Sequence, residues 1–270
     1  MREITKETHE KYWNRVKEAG IKEQPDPYIC EDGKLPQKKK ILCIGCADAK
    51  DIAFLVKDNK VTGIDIVTEA LETAKKRGID VQLQDVSRGI KYEDRIFDII
   101  ICKDVLEHLV DPAFVGKEIV RTLKDDGYAV ICVPNHFSLG QRLRIFSGQG
   151  LLWKSLLHDH TMTNNEWDYM HVRFFTYRGC REFLKYCGFT KISFKWDLGP
   201  FIISRPELIL DRAAQLLKQK KLSAGQNVLA RLLIPALRLF NFIFPQRIRG
   251  FVAGVRPSLL SNHFYVYCRK

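Results

Sequence analysis

The stretch Phe97–Pro112 reads FDIIICKDVLEHLVDP. Its first half, Phe97–Cys102, is rich in isoleucine and apolar on both faces. That is the composition of a strand buried on both sides within a parallel sheet. The chemistry then changes abruptly, because Lys103, Asp104, Glu107 and His108 follow at once. In a doubly wound sheet ligands bind at the carboxyl ends of the strands, so functional side chains are expected at this junction.

Working outward, similar apolar runs occur at Ile41–Ile44, Val61–Ile64, Val81–Leu83 and Tyr128–Val133. Helical patterns at 49–57, 68–77 and 113–123 alternate with them. Strands alternating with helices predict an α/β fold, a mostly parallel sheet doubly wound through right-handed crossovers. After Pro134 the alternation stops, and 135–172 reads as irregular. A helix follows at Tyr177–Cys187, closed by Gly188, and then a strand at Lys191–Trp196. Two basic helices are expected over 203–244, and an alternating strand at His263–Arg269 ends the chain, predicting an antiparallel edge. At the other end, residues 4–19 read as a helix, and 24–40, with three prolines, as a linker. The expected organisation is therefore 1–37 as N-terminal helix and linker, 38–200 plus 262–270 as the α/β domain, and 201–261 as a basic helical insertion.

The chain has 270 residues, 46% of them hydrophobic and 28% charged, enough to bury a real core. Of its net charge of +12, twelve Lys/Arg against two Asp/Glu place +10 between Phe201 and Lys270. That asymmetry suits an anionic partner or a basic solvated surface. The charged N-terminus has no apolar signal core, and Cys43, Cys102, Cys132 and Cys268 sit in apolar runs. They read as buried hydrophobes of a reduced cytoplasmic protein.

The strand ends carry the candidate site. The first ends in Gly45-Cys46-Ala47, where a residue without Cβ permits a sharp turn and close ligand approach. The second ends in Asp65, twenty positions after Gly45, followed by Ile66. A carboxylate there can accept hydrogen bonds from ribose hydroxyls or cap the helix beginning near Thr68. Asp85 and Val86 follow the third strand and could meet an adenine, as amino-group acceptor and apolar face, though the pattern is common in loops. On a helix, Asp104, Glu107 and His108 would share one face. They could hold a divalent cation, act through His108 as a general base, or simply begin a helix. No fourth ligand is evident nearby in sequence, so no metal is expected. The absence of G-x-G-x-x-G argues against a nicotinamide dehydrogenase, and the lone C-x-x-C at 43–46 against a zinc or thioredoxin-like site.

The series ILCIGCADAKD, VTGIDI, LQDVS, FDIIICKDVLEHLVDP and DGYAVICVPN resembles class I S-adenosylmethionine-dependent methyltransferases. It is similar to the group of type 11 and type 12 domains that includes the MetW-type and ubiquinone-type enzymes, and HVRFFTYRGCREFLKYCGF (171–189) resembles a downstream segment of that group. The resemblance implies sheet order 3-2-1-4-5-7-6 with strand 7 antiparallel, and S-adenosyl-L-methionine as cofactor. It implies that Gly45, Cys46 and Ala47 face the methionine part, that Asp65 with Ile66 holds the ribose, and that Asp85 with Val86 holds the adenine. Lys103 and Asp104 would lie beside the sulfonium, with the helix at Tyr12–Ala19 over the pocket. Three departures stand out: Cys43 replaces an acidic residue, and Ala47 and Ala49 replace glycines. If φ is positive there, each alanine costs about 1 kcal/mol or more.

Methyl transfer to oxygen benefits from a general base. The candidates are His108, His136, His160 and His171, with His171 first because it opens the HVRFF segment and His108 next. Val228–Phe244, VLARLLIPALRLFNFIF, is interrupted by Arg231, Pro235 and Arg238. It fits an interfacial membrane helix or a helical lid with a basic outer side. The expected acceptor is a small molecule, a glycan or a lipid-linked molecule, methylated on oxygen, with an anionic membrane surface as partner and the protein cytoplasmic or peripheral at that membrane. Nucleic acid is not expected as a partner, since no RNA-binding module is visible. The alternatives are an RNA methyltransferase and a methyltransferase fold kept as a catalytically impaired binding module.

Overall fold

A computed structural model describes residues 26–148, 171–198, 210 and 224–270. The helix expected at 4–19, the first of the two basic helices expected over 203–244, and His160 lie outside these residues. Seven strands form one sheet: β1 Lys40–Ile44, β2 Lys60–Asp65, β3 Asp80–Leu83, β4 Phe97–Lys103, β5 Leu123–Pro134, β6 Lys191–Leu198 and β7 Ser261–Arg269. Their order is β3-β2-β1-β4-β5-β7-β6. β7 runs antiparallel to both β5 and β6, and the other pairings are parallel. This is the predicted topology.

The central strands β1 and β4 are largely apolar because both of their faces are covered. In β1 and β4, Leu42, Ile44, Ile100 and Cys102 enter one core layer, and Ile41, Cys43, Ile99 and Ile101 enter the other. The first layer packs under helices α2 (Pro112–Thr122) and α4 (Tyr177–Cys187). The second packs under α1 (Thr68–Lys76). Local signals fix the helix ends. Asp111 accepts from the Phe114 N–H at 3.1 Å with Pro112 in the first turn, and Thr176 accepts from the Gly179 N–H at 3.0 Å. α4 stops where Gly188 adopts φ 111°.

Three regions depart from expectation. Residues 49–57 do not form a helix but turns and one 3-10 turn at Ala53–Leu55. Ala49 has φ 56°, outside the helical region, and Asp51 is held by tertiary partners instead. Residues 135–172, read as irregular, contain α3 (Leu139–Phe146). The stretch read as a linker is docked: Ile29 and Cys30 are buried, and Tyr28 stacks on Tyr265 with ring centres 4.8 Å apart. The Tyr267 hydroxyl donates to the Tyr28 and Cys30 carbonyls, and Arg269 pairs with Glu31. Alternation in β7 explains this strap. Phe264, Val266 and Cys268 fill the first core layer, which leaves Tyr265 and Tyr267 on the opposite face. The strap's backbone satisfies the Tyr267 hydroxyl there, and Asp26 that of Tyr265.

The last described helices are α5 (Ala224–Ile243), α6 (Gln246–Val255) and α7 (Pro257–Leu260), which lead directly into β7. The Asn135 amide at the end of β5 donates to the carbonyls of Ser258 and Ser261, at 3.2 and 2.8 Å. That pair of bonds ties α7 to the carboxyl end of the sheet.

Gly45 shows how closely these elements meet. It has φ 66°, and a Cβ there would lie 2.3 Å from Val105 Cγ2. Adding the left-handed strain and the overpacking, Gly45→Ala is expected to destabilise the protein by about 2–4 kcal/mol in urea denaturation. Adding Val105→Ala should restore part of that loss. Wild-type stability in Gly45→Ala would count against this packing.

Candidate active site

The carboxyl ends of β1, β2, β3 and β4 form the candidate cofactor side. The turn after β1 folds back onto β2: the N–H groups of Gly45 and Cys46 both donate to the Ile64 carbonyl, at 2.8 and 3.2 Å. Asp65 then organises the junction. Its Oδ2 accepts from the Ala47 N–H at 2.8 Å, and its Oδ1 accepts from Ile66 and Val67 at 2.7 and 2.9 Å. A carboxylate offers about four acceptor positions, so one on Oδ2 remains open in direction. One ligand hydroxyl can be taken without rearrangement, and a second requires the Ala47 N–H to turn away. The local capping role and the ligand role weighed from sequence thus coexist in this one side chain.

Ala47 and Ala49 have φ 44° and 56°. Both departures therefore fall where alanine is strained, by about 1–2 kcal/mol each. Cys46 is buried. Its thiol packs on Gly63, where an added Cβ would lie 2.6 Å from Sγ. Burial raises the pKa of both the Cys43 and Cys46 thiols, the latter also through Asp65. The C-x-x-C is thus two inert core side chains.

Ile66 is half-buried beside Ala47, Val67 and Ala70. Asp85 is engaged by its own loop, accepting from the Ser87 N–H and hydroxyl at 3.0 and 2.6 Å and pairing with Arg88 at 3.4 Å. Val86 is 8% exposed and belongs to the core, so little of it remains for a ring. Leu83, absent from the sequence-derived site, stands 56% exposed at the end of β3 in register with Asp65.

Lys103 does not stand alone at the end of β4. Its ammonium lies 2.7 Å from Asp26 and 3.0 Å from Asp51, and these carboxylates outweigh the desolvation that would otherwise lower its pKa. Asp26 also accepts from the Tyr265 hydroxyl at 2.7 Å and the Tyr28 N–H at 3.0 Å. Asp26 was invisible to sequence reasoning because its stretch reads as a linker. Asp51 fell within an expected helix.

The face shared by Asp104, Glu107 and His108 is not formed. Asp104 has φ 52°, and only Leu106–His108 make a 3-10 turn. Asp104 points towards His263, 3.8 Å away. Glu107 is fully buried. Its backbone carbonyl accepts from the N–H groups of Val172 and Arg173, at 2.8 and 3.0 Å. This clamp brings His171 to His108, with ring centres 4.7 Å apart. His171 Nδ1 lies 2.8 Å from His136 Nε2. Burial, aided by His263, lowers the His136 pKa to about 4, so this imidazole is neutral at pH 7. The two histidines ranked first from sequence therefore meet, and His136 joins them.

Lys103→Met would leave Asp26 and Asp51 near each other without their shared cation. Asp26 is 9% exposed, so the expected destabilisation is about 3–5 kcal/mol. Asp26→Asn should cost less, because Lys103 keeps Asp51. Chemical denaturation of the two variants checks the order, and a costlier Asp26→Asn would overturn it.

Residues 42–131 match the family model described as a methyltransferase domain. The ubiquinone biosynthesis O-methyltransferase of Paracidovorax citrulli is 30% identical over 130 residues, 45% of this chain and 55% of that protein. The protein of the same name from Actinobacillus pleuropneumoniae serotype 5b is 34% identical over 125 residues, 42% of this chain and 53% of that one. The chain thus spans about half the length of these relatives. Among solved structures, a SAM dependent methyltransferase from Archaeoglobus fulgidus aligns over 98% of this chain and 94% of its own, with TM-score 0.51 and 13% identity. The [4+2]-cyclase SpnF aligns over 87% and 76%, with TM-score 0.50 and 17% identity, so the fold alone does not fix a reaction. Residues 42–131 thus resemble a methyltransferase domain, and the chain shares the fold of a solved SAM dependent methyltransferase.

Proposed function

We propose that the chain is an S-adenosylmethionine-dependent methyltransferase acting on an oxygen of a small, lipid-like or glycan acceptor. The observation that carries the reading is the hydrogen bond from the Ala47 N–H to Asp65. It joins the turn after β1 to the acid that ends β2, the two features a nucleoside ligand needs side by side. In this reading Asp65 and Ile66 hold the adenosine, Asp85 and Val86 border its base, and the turn at Gly45–Ala47 takes the methionine end. Lys103, fixed by Asp26 and Asp51, shapes the floor beside the reacting centre with Asp104. S-Adenosylmethionine supplies the electrophilic methyl group. The protein aligns the acceptor with it and takes a proton from the acceptor oxygen through His171 or His108. The names of the relatives support an oxygen acceptor.

Calorimetric titration with S-adenosylmethionine tests the reading. Saturable binding by the wild type and at least tenfold weaker binding by Asp65→Ala are expected, about 1.4 kcal/mol or more. No binding at millimolar cofactor would sink the enzyme claim and favour an impaired binding module, which the strained Ala47 and Ala49 would suit. Unchanged affinity in Asp65→Ala would sink the ribose assignment alone.

The acceptor class is tied to α5 and α6. No helix among the described residues is long and apolar enough to cross a membrane. Yet Phe242 and Phe251 are 84% and 73% exposed, with Leu239, Ile243, Phe244 and Ile248 exposed nearby. Arg231, Arg238 and Arg247 are exposed on the same two helices. Apolar and cationic side chains so combined suit the surface of an anionic bilayer. Flotation with anionic vesicles should recover the wild type and much less of a Phe242→Asp/Phe251→Asp variant. Equal recovery would rule out this surface.

A further inference from the structure

Beyond the end of β5 lies a cavity of about 200 Å³, lined by Asn135, Phe137, Arg142, Thr176, Arg178 and Ser258. Three helices meet there. The Asn135 amide donates to the Ser258 carbonyl at 3.2 Å and so holds α7 in the wall. A backbone bridge from Asn135 to Phe175 places Thr176 and the start of α4. Arg142 comes from α3, and its Nε donates to the Phe137 carbonyl at 2.7 Å. The cofactor reading uses none of these residues.

The lining carries two cations and no acid. Among the described residues both are held through Nε alone, Arg142 on the Phe137 carbonyl and Arg178 on Glu182 at 2.8 Å. Glu182 itself is not part of the lining. The terminal nitrogens of each guanidinium are left for a ligand, and such a planar fork matches phosphate oxygens. Thr176 Oγ1 accepts from the Gly179 N–H at 3.0 Å, so its own O–H is still available to donate. The Ser258 hydroxyl is a further donor in the lining. Donors from three elements, with no carboxylate among them, suit a tetrahedral anion better than a cation or a neutral ring.

We propose that this cavity binds the phosphate or diphosphate group of a phosphate-bearing acceptor. Its volume lies below the roughly 300–1,000 Å³ of a pocket that encloses a whole drug-sized ligand. It therefore takes a head group and leaves the rest of the molecule outside. The segment 135–137 shows where that rest lies. Asn135 and Phe137 line the cavity, and the Nε2 of His136 between them lies 2.8 Å from His171 Nδ1. A phosphate held by the arginines keeps the atoms joined to it beside this histidine pair. Binding energy at an unreactive group then aligns the reactive one. Phe146, one turn beyond Arg142 on α3, is 91% exposed and follows the arginine with an apolar side chain. The same phosphate chemistry occurs in a lipid-linked diphosphate and in a soluble sugar nucleotide. That the bound group belongs to an acceptor rests on the methyltransferase reading, and anion binding itself does not.

The test titrates the full-length chain with inorganic pyrophosphate by calorimetry. One equivalent should bind saturably. Arg142→Gln and Arg178→Gln should each weaken binding about tenfold or more, the worth of one charge-assisted hydrogen bond. Arg181→Gln, which removes an exposed arginine of α4 outside the lining, should bind as the wild type does. Circular dichroism records folding, and if Arg142→Gln does not fold, Arg178→Gln carries the comparison. No saturable binding, or equal losses at positions 142, 178 and 181, overturns the proposal and leaves a diffuse basic surface. Competition separates the two sources. Displacement of pyrophosphate at lower concentration by farnesyl diphosphate than by UDP-glucose assigns a lipid-linked acceptor, and the opposite order a soluble one. Failure of both to displace it overturns the acceptor assignment. S-Adenosylmethionine titrations run in parallel keep the claims apart. Pyrophosphate binding without cofactor binding removes the methyltransferase reading and keeps the anion site, and cofactor binding without pyrophosphate does the reverse.

Discussion

The absent side chain at Gly45 is the constraint on which the candidate site depends. The end of β4 approaches the turn after β1 so closely that Val105 occupies the space a Cβ would need. That approach brings Lys103 within reach of Asp51 and lets the turn reach back to Asp65. The strain at Ala47, Ala49 and Asp104 is concentrated around the same junction. Local strain of this kind persists only where the surrounding packing over-determines the backbone, as sites often require.

The sheet was legible because both of its faces are buried. Runs such as Phe97–Cys102 and Tyr128–Val133 have no polar face, and that composition names a parallel strand directly. Asp65 was legible for a related reason, since a carboxylate at the end of such a run must have a use. The losses are equally physical. Residues 49–57 carry a helical pattern, but Asp51 gains more from Lys103 than from a first helical turn. Asp26 and Tyr28 sit in a proline-rich stretch whose partners lie at Tyr265 and Lys103, far away in sequence. No local pattern announces such contacts.

The histidine cluster shows the same limit from the other side. The residue types at 104–108 and 171 drew notice, but their supposed helical face does not exist. His171 reaches His108 only because two backbone N–H groups of the next residues find the Glu107 carbonyl. A three-residue 3-10 turn, too short to read from periodicity, makes the meeting possible.

The eight cysteines carry a consequence of a different kind. All are free and buried, spread over the strap, β1 and the turn after it, β4, β5, β7 and α4. Burial pushes Cys187 up to about 11 and Cys180 up to about 12, and the strand thiols well above their usual range. Alkylating reagents attack thiolates, so the native chain is close to inert towards them. Each layer of the sheet therefore contains its own chemical clock. The rate at which a given thiol is labelled reports how often that part of the sheet opens, with no probe added to the chain.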